Sequence, residues 1–223
     1  MAFCFTGKEN NLVHYQKNNY FCELEIRNIN MYSSQNNNDL ILTLYNDERS
    51  VFRLNDIAML MGETRFDSIN KRLNYFVRNN KVNNPRRGIY TKTNYSKEEM
   101  ACRIFIPSYI SLDYVLQKAG VIFQYNTQFT SVSYLSRTIE IEETTYTFRK
   151  IKNEILVDTT GIIRQSNGIN IATPERAFID TLYLNSDYYF DNLNTLNRKL
   201  VEQILPVYNS KKLAQQVKKL LEQ

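Results

Sequence analysis

The sequence predicts an α+β fold with two unlike halves, and three observations predict it. Apolar residues recur every three to four positions over 54–61 and again over 65–79, with Gly62 between the two stretches. Residues 122–157 alternate instead and are rich in Thr, Ile, Val, Tyr and Phe. The last third returns to helical spacing. A chain of 223 residues is long enough for one large domain or two small ones, and 43% hydrophobic content is enough for a packed core. Residues 1–37 are expected as an N-terminal extension outside the domain, 38–94 as a small helical unit with a hairpin, and 95–223 as a mixed α/β domain. The second domain is expected to hold a mainly antiparallel sheet and C-terminal helices.

The stretch up to about Asn38 is polar, Asn-rich and without a period. Residues 1–30 are expected to be a flexible tail, or to precede a second start at Met31. Asp39–Asn46 (DLILTLYN) fits a first helix capped by Asn38 or Asp39. The next helix is expected to bury Leu54, Ile57, Ala58 and Met61, at i, i+3, i+4 and i+7, with Asn55 or Asp56 serving its open amides. Gly62 stands where the chain leaves that helix, in a position suited to positive φ. Thr64 is the expected cap of the helix after it. From Arg65 to Asn79 the residues Phe66, Ile69, Leu73, Phe76 and Val77 form one stripe with a period of about 3.6 residues. The opposite face carries Ser68, Lys71, Tyr75 and Arg78, with Asp67, Asn74 and Arg72 towards its edges. Lys81-Val82 and Gly88–Thr91 are expected as two short strands joined by the turn Asn83–Arg87.

That order, helix–turn–helix and then a basic hairpin, is a winged helix-turn-helix, and the basic face of its second helix suits a major groove. Charge supports the placement. Between Thr64 and Lys92 there are eight Lys or Arg and one acid, a net +7; the whole chain is +5, so the remainder sums to −2. The positive charge is concentrated where phosphates would lie. The residues expected to meet DNA are Arg65, Ser68, Lys71, Arg72, Tyr75, Arg78, Arg86, Arg87 and Lys92.

Beyond the hairpin, Tyr95–Arg103 is expected as a helix capped by Ser96 with Glu99 three residues on. Ser111 is expected to cap a helix that buries Leu112, Val115, Leu116 and Ala119 and ends at Gly120. Strands are expected near Gln128–Tyr134, Arg137–Glu142 and Thr145–Ile151, then at Ile155–Val157 and Ile169–Ala172. Thr173-Pro174-Glu175-Arg176 has the cap, the first-turn proline and the first-turn acid of a helix start. Ala177, Phe178, Ile179 and Leu182 are its expected buried side. Asn192–Leu205, stopped by Pro206, and Ser210–Gln223 are expected as two amphipathic helices. The last turns Leu213, Val217, Leu220 and Leu221 inward and Lys211, Lys212, Lys218 and Lys219 outward.

Composition narrows the chemistry. Three cysteines far apart, with no C-x-x-C, argue against a disulfide framework or a zinc site. His14 is the only histidine, so Ser-His or Cys-His catalysis and multi-histidine metal sites are not expected. No Glu-x-Lys occurs for a restriction-type nuclease, and no Gly-Ser or Gly-Gly step precedes an Asp-x-Asp pair as a nucleotidyltransferase would need. Asp158, Asp180, Asp187 and Asp191 are dispersed, as capping residues are. No enzyme activity, cofactor or metal is expected. No apolar run nears the ~20 residues of a membrane span, and no signal peptide pattern opens the chain; a cytoplasmic protein without a membrane partner is expected.

The order of segments carries a resemblance. RRGIY follows the second helix; then come YISLDYVLQKAGVI, FTSVSYLSRTIEIEETTYTFRKIKNEIL and INIATPERAFIDTLYL. Over about residues 38–205 this resembles the AbiEi family of antitoxins from type IV toxin–antitoxin and abortive-infection systems. The resemblance implies that the winged helix binds the operator of its own operon as an autorepressor. It also implies that the C-terminal domain neutralises a nucleotidyltransferase toxin without a stable complex. The N-terminal extension departs from the family pattern, and Asp67 on the reading face would repel phosphate or accept from a cytosine amine. The other reading of the same residues is a winged-helix regulator whose C-terminal domain senses a ligand or forms an oligomer, with no toxin. Arg137, Arg149, Lys150 and Arg164 are basic residues near the expected strands that could oppose a toxin. The oligomeric state is left open.

Overall fold

The computed structural model describes residues 40–222. The expectations for residues 1–37, and the cap at Asn38 or Asp39, lie outside the described residues. The chain divides into two compact units, Met1–Asn46 and Asp47–Gln223. Of the first, a helix over 40–46 (α1) is described.

The second unit is a mixed α+β fold with two sheets. It opens with β1 (Val51–Arg53), α2 (Leu54–Met61), α3 (Phe66–Arg78), β2 (Asn83–Arg86) and β3 (Ile89–Thr91). These strands form an antiparallel sheet in the order β1-β3-β2. It continues with α4 (Lys97–Ile104), β4 (Ser108–Ile110), α5 (Asp113–Lys118), β5 (Phe129–Ser133), β6 (Arg137–Ile141) and β7 (Thr144–Lys150). Then come α6 (Asn153–Val157), β8 (Ile162–Arg164), β9 (Asn170–Ala172), α7 (Pro174–Leu184), α8 (Arg198–Ile204), a 3-10 turn (Leu205–Tyr208) and α9 (Lys211–Leu221). The larger sheet runs β6-β7-β5-β4-β9-β8. Within it β6–β7, β4–β5 and β8–β9 pair antiparallel, whereas β5–β7 and β4–β9 pair parallel.

The helices follow their local signals. Gly62 sits at φ 61, and the Glu63 N–H donates to the Ala58 carbonyl, the pattern that closes a helix on a left-handed residue. Asp56 accepts from the Arg53 N–H at 2.9 Å and so serves the open end of α2. Thr173 accepts from the Arg176 N–H, with Pro174 behind it, at the start of α7; Ser210 does the same for the Leu213 N–H at the start of α9.

Five expectations fail. Thr64 caps nothing: the N-cap of α3 is Arg65, with no side-chain bond. The expected turn Asn83–Arg87 is mostly strand, and the chain reverses at Arg87-Gly88 with Gly88 at φ 78. Pro85 is tolerated there because β2 is the edge of its sheet and need not donate outward. Ser111 does not cap α5. The N-cap is Leu112 at φ 61, and the Ser111 hydroxyl donates to Asp180 at 2.8 Å. Ile155–Val157 is helical, part of α6, and the helix expected from Asn192 begins only at Arg198, on an Asn197 cap.

One core joins both sheets. Val51 and Ile89 of the small sheet pack into the same cluster as Met100, Ile110, Val132, Phe148, Phe178 and Ile204. The Glu99 carboxylate fastens the two parts, accepting from the Ser50 and Val51 N–H groups at 2.6 and 2.9 Å. The expected capping box is thus rerouted: Ser96 accepts from the Glu99 N–H, but the acid reaches the first strand rather than its own helix end. All five residues of β5 are buried, as befits a strand flanked on both sides.

Candidate nucleic-acid interface

The geometry of α3 is set by its apolar stripe. Ile69, Leu73 and Phe76 are buried, at 0%, 0% and 6% exposure. Burying each is worth roughly 1.5–3 kcal/mol, which fixes the rotation of the helix and therefore what its other side presents. Lys71, Asn74, Tyr75 and Arg78 are exposed, and Tyr75 leaves 57% of its surface to solvent while its ring meets Phe76 edge-on at 5.4 Å. Phe66, expected on the apolar stripe, is 45% exposed because it lies in the first turn, ahead of the core.

The nine expected DNA contacts separate into three groups. Arg65, Lys71, Tyr75, Arg78 and Arg87 are exposed. Ser68 and Arg86 are half-buried. Arg72 and Lys92 are engaged elsewhere. The Arg72 guanidinium pairs with Glu63 in the turn after α2, and both side chains are largely covered. It holds the second helix against the turn. Lys92 donates through Nζ to the Asp47 carbonyl at 2.5 Å and ties the end of β3 to the start of the unit. Asn84, absent from the expected set, braces the hairpin: its amide donates to the Ile89 and Arg86 carbonyls at 2.9 and 3.2 Å. Asp67 is exposed in the first turn of α3, beside its positive N-terminal end. Arg137, Arg149, Lys150 and Arg164 are exposed on β6, β7 and β8.

Sequence reasoning missed a polar cluster in the larger part. Arg176 and Asp180 of α7 are both fully buried. Their Nε–Oδ1 separation is 3.6 Å. The guanidinium also donates to the Ile155 and Thr160 carbonyls at 2.7 and 2.9 Å, and it lies over the rings of Tyr109 and Tyr208. The Asp180 carboxylate accepts from the hydroxyls of Tyr208, Ser111 and Tyr109 at 2.6, 2.8 and 3.1 Å. Burial pushes the Asp180 carboxyl up from 3.8, against the pull of Arg176 and the three hydroxyls. Burial also pulls Arg176 down, but the surrounding oxygens outweigh it and the guanidinium stays charged. Asp180 is therefore not a turn or capping residue. The signal that could have found the pair is its i,i+4 spacing inside a run of apolar residues.

Among the described residues no group of three or more His, Cys, Asp or Glu is placed to hold a metal ion. No described helix is long and apolar enough to cross a membrane.

No protein-family model matches the chain, and no curated protein matches it. A solved structure, the RV2827C protein from Mycobacterium tuberculosis, is similar in fold over 82% of this chain and 74% of that one, at 10% identity and a TM-score of 0.46.

Proposed function

We propose that the chain is a DNA-binding autorepressor and the antitoxin of a type IV toxin–antitoxin system. In this reading residues 47–92 work as a winged helix-turn-helix, with α3 in the major groove and the β2–β3 hairpin as the wing. The observation that carries it is the division of α3, with Ile69, Leu73 and Phe76 buried while Lys71, Tyr75 and Arg78 stand in solvent. That face is exposed to solvent, which supports a groove-reading role, and the exposed Arg87 at the tip of the hairpin supports a positive surface continuing onto the wing. Lys71 and Arg78 are assigned to phosphates or guanine edges, Arg86 and Arg87 to phosphates alone. The antitoxin role rests on the segment order that resembles AbiEi proteins, and its partner is a nucleotidyltransferase-like toxin that forms no stable complex with it.

The test of the DNA role is a mobility shift on the duplex upstream of the gene, repeated over a range of salt. Lys71→Ala with Arg78→Ala should weaken binding and lower the slope of log affinity against log salt by about two. Arg86→Ala with Arg87→Ala should weaken all sequences alike. Unchanged affinity in the first pair sinks the groove assignment. Coexpression with the neighbouring gene, with growth as readout, tests the antitoxin role. The alternative is a regulator whose larger part senses a ligand. A cavity of about 470 Å³ between α4, β4 and β8–β9 favours it, and the lack of any nucleotidyltransferase-like gene next door would decide for it.

A further inference from the structure

That same cavity carries an inference independent of DNA. Its volume of about 470 Å³ is the size of a site for one small molecule. Among the described residues its charged wall residues are Arg103 and Arg164, and no described carboxylate lines it. We propose that it binds a small organic oxyanion, a carboxylate or a phosphate on an apolar body, between these two guanidinium groups.

Arg103 is the anchor. Its side chain is 14% exposed, and its Nε is buried with no hydrogen-bond partner among the described residues. The nearest acid recorded for it is Asp56, whose Oδ2 lies 3.8 Å from Nη1. A charge-assisted hydrogen bond is about 2.7–2.9 Å, so this contact is an ion pair at longer range, and the buried Nε–H is the donor it leaves without an acceptor among the described residues. The planar fork of a guanidinium matches the two oxygens of a carboxylate or phosphate.

The chain makes room for this guanidinium at a defined place. Gly168 stands at φ 82, and a Cβ there would lie 2.3 Å from the Arg103 Nη2. A side chain at 168 would displace the group from the wall. Arg164 sits directly across from Asn170 in the β8–β9 pair, so the two side chains leave the hairpin on one face, and both line the cavity. Arg164 is exposed and lines the same cavity, and it is assigned as the second guanidinium on the ligand. Ile106 and Val157 also line the cavity and are 47% and 67% exposed. They give the apolar part of a ligand a surface to cover.

The test uses the full chain, titrated by calorimetry with phenyl phosphate, benzoate and, as the neutral control, phenol, at constant ionic strength. Saturable one-to-one binding of phenyl phosphate or benzoate, without phenol, is expected, and the better of the two identifies the oxyanion. Arg103→Gln should weaken that binding about tenfold or more, the loss of one charge-assisted pair of bonds. Arg164→Gln changes an exposed residue, folds normally by its melting curve, and should weaken binding about threefold or more. Lys219→Gln on α9 should leave it unchanged. Absence of saturable binding by either anion up to about 10 mM, equal binding of phenol, or an affinity unchanged in Arg164→Gln would overturn the assignment.

Discussion

Arg176→Met is the substitution with the largest expected effect outside the apolar core. It replaces a guanidinium that has no solvent exposure with a shorter, apolar, unbranched chain. The carbonyls of Ile155 and Thr160 lose donors at 2.7 and 2.9 Å. Each buried acceptor left without a partner costs about 1–3 kcal/mol. Asp180 keeps its three hydroxyl donors but loses its cation, and breaking a buried pair by removing one partner costs about 3–5 kcal/mol. These figures overlap, so the expected loss is about 5 kcal/mol, against a whole stability of about 5–15 kcal/mol for a typical domain.

Urea denaturation followed by far-ultraviolet circular dichroism measures the loss, with the slope against urea checked for constancy. Asp180→Leu alone should cost a similar amount, because it strands the cation. The double variant should cost at least about 2 kcal/mol less than the two singles together, since no charge is then left without its partner. The pH dependence has a definite sign. Burial already raises the folded-state pKa of Asp180, and loss of Arg176 raises it further, so protonation favours the folded variant. The gap between wild type and Arg176→Met should narrow as pH falls towards 3.8, the ordinary aspartate value. A loss below about 1 kcal/mol, or strictly additive singles, would refute the account of this cluster.

Three further outcomes are expected. Burial pushes the Cys102 thiol from 9.0 up to about 11. The folded state therefore holds that proton more tightly, and stability of about 2–3 kcal/mol is lost as pH rises from 9 to 11; urea midpoints of Cys102→Val should lack this part of the decline. Arg49 holds the Asp47 carboxyl below 3.8 through its hydrogen bond at 2.8 Å. That contribution is present above 3.8 and lost as pH falls through the folded value, so the acid midpoint of Arg49→Ala should move to higher pH. Glu63→Gln should lower stability by about 0.5–1 kcal/mol, since the pair it makes with Arg72 is only partly covered, and it should leave the salt slope of DNA binding unchanged. A changed slope would mean that Arg72 meets phosphate after all.

How far the residues could be read without coordinates follows from the range of the interactions that decide each feature. The helices α2, α3, α7 and α9 were legible because their signals are local: the apolar period in α3, Gly62 at the end of α2, and the caps Thr173 and Ser210 at the starts of α7 and α9 all act within one or two turns. The three-residue strands β1 and β8 were not. They carry no alternation of their own and exist because β3 and β9 offer them partners. Ser111 has the sequence position of a cap, but its hydroxyl is claimed by Asp180, 69 residues away. The candidate interface divides along the same line. That α3 turns Lys71, Tyr75 and Arg78 away from Ile69 and Leu73 is a property of one helix, and spacing alone expressed it. Whether a given cation on that surface is free for a phosphate is a property of its neighbours in space. Arg72 is taken by an acid in the preceding turn and Lys92 by a carbonyl 45 residues upstream, and neither partner belongs to the periodic stripe. A count of positive charges along the segment therefore overstates the surface a duplex would meet. The smaller set Arg65, Lys71, Arg78, Arg86 and Arg87 is the one whose removal should change the salt dependence.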